Sequence, residues 1–187
     1  MKRISVSSIC LILALILISP LPLHSETAGI KDILVTNDAT HLLVYARVTN
    51  CFTADMDAAI LAGIPTTFTF LLELYQVRSR WWDKNLIRLT VRRTIKYDNV
   101  KRVFYVTSDG NKEPTSFQEY ESAKQAMADL NGVPVSLLKE LKRGEYYYVQ
   151  IKAKLDKVRL PLHMEYIFFF VSLWDFETGW HLEGFYY

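Results

Sequence analysis

Cysteine is scarce in this sequence, which limits both cross-linking and thiol chemistry. The chain has two cysteines, Cys10 and Cys51. Cys10 lies in an apolar N-terminal run that we predict to be removed on export, so an internal disulfide is excluded in the processed protein. We predict that Cys51 is a buried, inert thiol at a strand–helix junction. An intermolecular bridge or a reactive thiol are the alternatives.

The common sequence motifs of enzymes are absent. The chain contains no G-x-S-x-G, H-E-x-x-H, C-x-x-C, P-loop or G-x-G-x-x-G motif, and its seven glycines occur singly. The histidines beyond residue 25 are His41, His163 and His181, which lack the spacing of a local metal site. We therefore predict a protein that is not an enzyme, with no catalytic residue, metal or cofactor. A metal site assembled in three dimensions from His163, Glu165 and His181 is the alternative.

The N-terminal apolar run, residues 9–18, is about half of the roughly 20 residues that a transmembrane helix needs. Lys2 and Arg3 precede this run, and two prolines and Ser25 follow it. This order is typical of a secretory signal peptide. We predict that residues 1–25 are a signal peptide cleaved near Ser25 and that the protein is exported to the periplasm. Retention of the segment as an anchor is the alternative.

The sequence also lacks a strong excess of either charge. It has 22 basic and 20 acidic residues. Removal of residues 1–25 takes away Lys2 and Arg3 but no acid, which leaves 20 of each. This balance gives no reason to expect a nucleic-acid partner. The charges are unevenly placed, however, because residues 78–102 contain nine basic and two acidic side chains.

Alternating apolar and polar residues are abundant, as are tyrosine (11) and phenylalanine (10), and both features favour β-strands. We predict strands at 30–36, 41–49, 66–77, 86–97, 101–107 and 145–155, with one or two more between 160 and 187. Thr53 is predicted to cap a short helix that ends at Gly63. A second helix is predicted over 115–130, and a shorter helical or turn segment over 135–141.

Residues 26–187 are predicted to form a single β-rich domain. Leu141, Gly144, Tyr147 and Val149 resemble the tyrosine corner of immunoglobulin-like domains, in which a tyrosine hydroxyl bonds to the backbone a few residues upstream. With six to eight strands, this pattern predicts a mainly β fold, an antiparallel immunoglobulin-like β-sandwich with two helical insertions. An α+β fold, with an open antiparallel sheet and helices on one face, is the alternative.

Short motifs along the chain resemble a known family. They are Gly63-Ile64-Pro65, Phe68, Glu73-Leu74, Arg80-Trp81-Trp82-Asp83, Tyr97-Asp98, Tyr105-Val106, the strand entry at 144–147, Leu155-Asp156, Leu160-Pro161, Trp174 and Trp180. Together they resemble the exported proteobacterial family catalogued as domain of unknown function 4390. The resemblance implies an envelope protein without established activity and suggests a sensor kinase as its partner. It assigns no catalytic residues.

Seven residues of the basic segment are candidate binding residues. They are Arg78, Arg80, Trp81, Trp82, Arg88, Arg92 and Lys96. On strand periodicity the last three share one outward face, and the two adjacent tryptophans lie in the turn before that strand. We predict that these residues dock the protein onto an envelope protein or an anionic membrane surface. The alternatives are a solvated strand face that prevents aggregation and indoles that fold back onto the core.

A second functional hypothesis is a periplasmic enzyme or small-ligand binder with a pocket between the sheet and a helical insertion. The aromatic C-terminal segment is predicted to line this pocket, with His163, Glu165 and Asp175 as its converging polar groups.

Overall fold

The computed structural model describes residues 27–110, 113–156 and 176–187. In chain order the elements are β1 (Gly29–Asn37), β2 (His41–Thr49), α1 (Ala54–Leu61), β3 (Thr66–Gln76), β4 (Lys84–Asp98), β5 (Val103–Ser108), β6 (Thr115–Phe117), α2 (Tyr120–Ala128), β7 (Asp129–Leu137), a 3-10 turn (Leu138–Glu140), β8 (Tyr146–Leu155) and β9 (His181–Tyr186). In this part of the chain, neither helix has the length and apolar character needed to cross a bilayer. The predicted signal peptide lies outside the described residues.

Two antiparallel sheets and two helices form the fold, as the alternation of the sequence predicts. The smaller sheet has the strand order β1-β2-β7, and the larger has the order β6-β5-β4-β3-β8-β9. The larger sheet curls into a half-barrel. Helix α2 packs against β4, β5 and β6, while β1 approaches β8 and β9. The prediction of a mainly β fold with two antiparallel sheets and two helical insertions is therefore confirmed.

The core lies between the inward faces of the two sheets. The inward row of β3 pairs with the inward row of β8, as in Phe70 with Ala153 and Leu72 with Ile151. The inward residues of these two strands and of β2 are all buried: Phe68, Phe70, Leu72, Leu74, Tyr147, Val149, Ile151, Ala153, Leu155, Leu42, Val44, Ala46 and Val48. Each large apolar side chain buried in this way stabilises the fold by about 1.5–3 kcal/mol.

The predicted tyrosine corner is present at the start of β8. The backbone N–H of Lys142 donates a hydrogen bond of 2.8 Å to the hydroxyl of Tyr147. The Tyr147 ring is only 1% exposed. The hydrogen bond therefore satisfies a buried hydroxyl and ties the loop before β8 to the core.

The first helix is also capped as predicted. The Thr53 side chain accepts a hydrogen bond of 3.2 Å from the Met56 N–H. Gly63 follows the helix with a φ of +84°, a conformation that glycine adopts without steric cost. Within the helix, Asp57 accepts a hydrogen bond of 2.7 Å from the Tyr120 hydroxyl, so this acidic side chain joins α1 to α2.

The prediction of a helix over 115–130 is correct only in its middle. Thr115–Phe117 forms β6, the helix covers Tyr120–Ala128, and Asp129–Leu137 is a strand. The helical spacing arises because residues from all three elements face the same core. The predicted helical or turn segment over 135–141 is correct for its second half, the 3-10 turn at Leu138–Glu140, and wrong for its first three residues, which belong to β7. Pro134 fits in β7 because this strand lies at the edge of its sheet.

Candidate functional site

The β3–β4 hairpin carries most of the candidate binding residues. Its strands pair from Thr66 with Ile95 to Gln76 with Lys84, and residues 77–83 form the turn at its tip. The tip is tied to β8 by a backbone hydrogen bond of 3.0 Å from Val77 N–H to the Tyr146 carbonyl. The hairpin tip therefore lies beside the start of β8, at one end of the larger sheet.

Asp83 closes the turn. Its Oδ1 accepts a hydrogen bond of 3.3 Å from the Arg78 N–H, and its Oδ2 accepts one of 3.3 Å from the Tyr148 hydroxyl. Asp83 thereby uses its carboxylate to hold the turn and to connect it with β8. It is the single acidic residue between positions 77 and 84.

Both tryptophans of the turn are exposed to solvent. Trp81 is 77% exposed and Trp82 is 92% exposed. The interpretation in which the indoles fold back to cap the core is therefore wrong. Residues 77–83 lie in an irregular turn outside the strands, where both indoles face solvent. Two large exposed indoles side by side are typical of an interaction site.

Three basic side chains flank the indoles. Arg78, Arg80 and Lys84 are exposed, and none of them forms an ion pair with any residue that the structure describes. Together with Asp83 they give the tip a formal charge of +2. The tip thus combines exposed indoles with unpaired cations.

The outward face of β4 differs from the tip, because its arginines have acidic neighbours. Arg88 forms an ion pair with Glu73 on the adjacent strand β3. The buried carboxylate of Glu73 also accepts hydrogen bonds from Tyr75 and Gln150, at 2.8 and 2.6 Å. Burial opposes ionisation, yet the hydrogen bonds from Tyr75, Gln150 and Arg88 hold the pKa of Glu73 below its usual value.

Arg92 lies between two acidic residues. Its guanidinium is 3.7 Å from Asp109 and 3.8 Å from Asp156. Lys96, the third member of the row, forms no ion pair within the described ranges. These contacts explain how closely spaced cations coexist on one strand face. Arg88 and Arg92 are therefore held by neighbouring acids, whereas the hairpin-tip cations are not.

Sequence reasoning missed two tyrosines that lie at the same end of the sheet. Tyr146 of β8 pairs with Tyr186 of β9, and their rings are 4.8 Å apart. Tyr186 is 78% exposed. A Cβ at Gly184 would clash with the Tyr146 hydroxyl, so glycine at this position lets the ring lie across β9. The alternation of β8 and β9 places both tyrosines outward, but only the sheet order brings them next to the hairpin.

Two more cations, Lys142 and Arg143, are exposed in the loop before β8. This loop is fixed by the hydrogen bond from Gly144 N–H to the Tyr187 carbonyl. We call the whole surface the aromatic end. It comprises Arg78, Arg80, Trp81, Trp82, Lys84, Lys142, Arg143, Tyr146, Tyr148 and Tyr186.

The other candidate groups show no reactive arrangement. Cys51 is buried, as predicted, and its burial raises the pKa of the thiol to about 12. His41 bonds to Thr40, and His181 lies 3.1 Å from the Gly179 carbonyl. Within the described ranges no three His, Cys, Asp or Glu side chains gather as metal ligands. The proposed partners of His181 in a metal site, His163 and Glu165, lie outside those ranges, as does Asp175.

Comparison with known proteins places the chain in a family without assigning it an activity. The family model described as Domain of unknown function (DUF4390) matches residues 25–183, and the chain belongs to this family. The resemblance seen in the sequence motifs is thus confirmed. No curated protein and no solved structure matches the chain.

Proposed function

We propose that the protein is a non-enzymatic module of the cell envelope that docks onto an anionic membrane surface through its aromatic end. The observation that carries this proposal is the pair of adjacent, exposed indoles at a hairpin tip whose three cations have no acidic partner among the described residues. Tryptophan and tyrosine favour the interface between lipid headgroups and acyl chains, where their rings are partly buried and their polar atoms stay hydrated.

The charges of the aromatic end support the same surface. A basic side chain near an anionic bilayer contributes about 1 kcal/mol of binding free energy, and this contribution falls with ionic strength. The hairpin tip has three such side chains, and the loop before β8 adds Lys142 and Arg143. The outward row of β4 contributes less, because Arg88 and Arg92 already have acidic partners.

Vesicle sedimentation tests the electrostatic part of this proposal. We expect the purified protein to sediment with vesicles of phosphatidylglycerol and phosphatidylcholine, and far less with phosphatidylcholine alone. The double variant Arg80→Glu/Lys84→Glu should weaken binding by about tenfold or more, since two attractive charges become repulsive. The matched control is Lys101→Glu/Arg102→Glu, which makes the same change of charge in the β4–β5 turn at the opposite end of the sheet.

The aromatic part is tested with Trp81→Ala/Trp82→Ala, which should weaken binding even at high salt, because it removes apolar burial. Val100→Ala, at a position 93% exposed in the β4–β5 turn, should change nothing. The proposal would be contradicted if the hairpin-tip variants and the controls in the β4–β5 turn lost vesicle binding to the same extent. Absence of binding to anionic vesicles would reject it in favour of a protein partner, which photo-cross-linking from position 82 would then identify.

A further inference from the structure

A cleft lies between β4, the end of β5 and β7. Its larger part has a volume of about 450 Å³ and lies between β4 and β7, lined by the apolar residues Leu89, Val91, Val133 and Pro134. Its smaller part has a volume of about 220 Å³ and is lined by Val106, Phe117 and Ala126. Arg93, Ser108 and Asn131 line both parts. The two parts therefore adjoin and have the size of a small-molecule site.

Arg93 is the unusual residue of this cleft. It interrupts the inward, apolar row of β4, and its guanidinium carbon lies 6.0 Å from the centroid of the Phe70 ring. Its Nη1 donates to the carbonyl oxygens of Ala126 and Asp129, at the end of α2. Desolvation lowers the pKa of Arg93, although an arginine remains cationic at neutral pH. Arg93 is thus a partly desolvated cation.

The residues that the structure describes leave the rest of the Arg93 guanidinium unused. Both hydrogen bonds come from Nη1, and Nε and Nη2 have no acceptor among the described residues. Nε and Nη2 form the edge of a guanidinium that binds a carboxylate through two parallel hydrogen bonds. Arg93 therefore carries a bidentate donor pair without a described acceptor, and it lines a cleft that has both apolar and polar walls.

The neighbouring acidic groups are engaged elsewhere. The carboxylate of Asp129 accepts two hydrogen bonds from Arg47, at 2.7 and 3.1 Å. Asp109, which also lines the larger part of the cleft, lies 3.7 Å from Arg92. Neither carboxylate forms an ion pair with Arg93. Asp129 still attracts Arg93 electrostatically, so an anion that enters the cleft would add a directly hydrogen-bonded partner to this longer-range attraction.

We propose that this cleft binds a long-chain carboxylate, the class of molecule to which fatty acids belong. The carboxylate accepts hydrogen bonds from Nε and Nη2 of Arg93, and the alkyl chain lies along the apolar lining between β4 and β7. The proposal goes beyond the docking function, because none of the residues that line the cleft belongs to the aromatic end. The alternative is that Arg93 serves only to cap the C-terminal end of α2. In that case the cleft should not bind a long-chain carboxylate.

The test is isothermal titration calorimetry, which measures the binding of dodecanoate, below its micellar concentration, to the purified protein. Dodecanoate should bind at one site per chain, while butanoate, which lacks the long chain, and dodecyltrimethylammonium, which has the opposite charge, should not. Arg93→Met should weaken the binding of dodecanoate about tenfold or more. The matched control is Lys96→Met on the outward face of the same strand, which should leave the affinity unchanged, because Lys96 is exposed and does not line the cleft.

A second variant separates loss of binding from loss of folding. Leu89→Trp keeps Arg93 and its bonds to α2 but fills the larger part of the cleft, so it should abolish dodecanoate binding while the circular dichroism and the vesicle binding stay those of the parent protein. Absence of dodecanoate binding to the parent protein would overturn the proposal. So would equal binding of dodecyltrimethylammonium, or retained affinity in a folded Arg93→Met variant.

Discussion

At the residue scale, the informative contrast lies between cations that have acidic partners and cations that do not. Charge reversal at Arg88 and Arg92 would test a basic docking face poorly, because both arginines form ion pairs on the outward face of the sheet. Reversing Arg88 would leave Glu73, which is 7% exposed, beside another negative charge, and the fold itself would lose stability. Arg80 and Lys84 have no ion pair with a described residue, so a change of their charge tests binding without removing a contact that stabilises the fold.

Glu73 provides a prediction of pH dependence. Because the folded pKa of Glu73 lies below the usual value of 4.5 for a glutamate, its contribution to stability is present above pH 4.5 and is lost as the pH falls through the folded pKa. Glu73→Gln should lower the free energy of unfolding at pH 7 by about 1–2 kcal/mol, because it weakens the charge-assisted hydrogen bonds of the carboxylate. The loss is no larger because Arg88 is exposed and solvent screens its charge. Urea titrations of both proteins from pH 7 to pH 2 measure this difference.

The difference between the two proteins should shrink at acidic pH, because protonation of Glu73 removes the same charge as the substitution. Glu145→Gln is the control, since this exposed residue lies in the loop before β8; it should alter neither the stability nor its pH dependence. A difference for Glu73→Gln that stays constant down to pH 2 would show that the carboxylate charge contributes nothing.

At the scale of secondary-structure elements, the hairpin tip is held by few interactions. Asp83→Ala should remove the hydrogen bonds to the Arg78 N–H and the Tyr148 hydroxyl. We expect faster amide exchange at Arg78, with a change of less than about 0.5 kcal/mol in global stability, because the turn lies outside the core. Hydrogen exchange followed by NMR measures both effects.

The control for this prediction is Asp98→Ala in the β4–β5 turn. Asp98 accepts hydrogen bonds from the backbone N–H groups of Val100 and Lys101, at 3.0 and 2.9 Å. Its removal should accelerate exchange in that turn and leave Arg78 unaffected. If Asp83→Ala instead accelerated exchange throughout β3 and β4, the tip would be part of the cooperative core.

The elements show which parts of the structure the sequence could predict. Strands β2, β3, β4 and β8 could be predicted from alternating apolar and polar residues, because each strand has one buried and one outward face. β7 could not be recognised in this way, since Asn131, Gly132 and Pro134 resemble a loop. Gly132 has a φ of +63° and lies against the Tyr45 ring, a contact visible only once β2 and β7 are paired. The hydrogen bonds of Arg93, which leave Nε and Nη2 without a described acceptor, likewise depend on tertiary structure.

The aromatic end shows the same limit at the candidate site. Trp81 and Trp82 were identified from their position between two strands and the nearby cations. Their exposure was not predictable, because alternation gives no direction for side chains in an irregular turn. Tyr146 and Tyr186 are 40 positions apart and meet only because β9 pairs with β8. Sequence reasoning therefore found the half of the surface that is contiguous along the chain.

At the scale of the whole molecule, Cys51 reports on the cooperativity of the fold. The thiol is 3% exposed, belongs to the main core and points a weak hydrogen bond of 3.8 Å towards the Val48 carbonyl. Its pKa of about 12 leaves almost no thiolate at neutral pH, so two barriers, burial and protonation, protect it. We expect Cys51 to react with a thiol reagent only when the core opens.

This expectation links the labelling rate of Cys51 to global stability. When reclosing is faster than labelling, the rate follows the population of the open state. Tyr147→Phe, which removes the hydroxyl that accepts from Lys142, should destabilise the fold by about 1 kcal/mol and so accelerate labelling of Cys51 by roughly fivefold. The measurement is mass spectrometry of the peptide that contains Cys51, which separates it from Cys10.

Tyr186→Phe, on an exposed ring, should leave the rate unchanged. Labelling that proceeds at the same rate in Tyr147→Phe, despite a measured loss of stability, would mean that Cys51 is reached through a local opening of the loop between β2 and α1 rather than through unfolding of the sandwich.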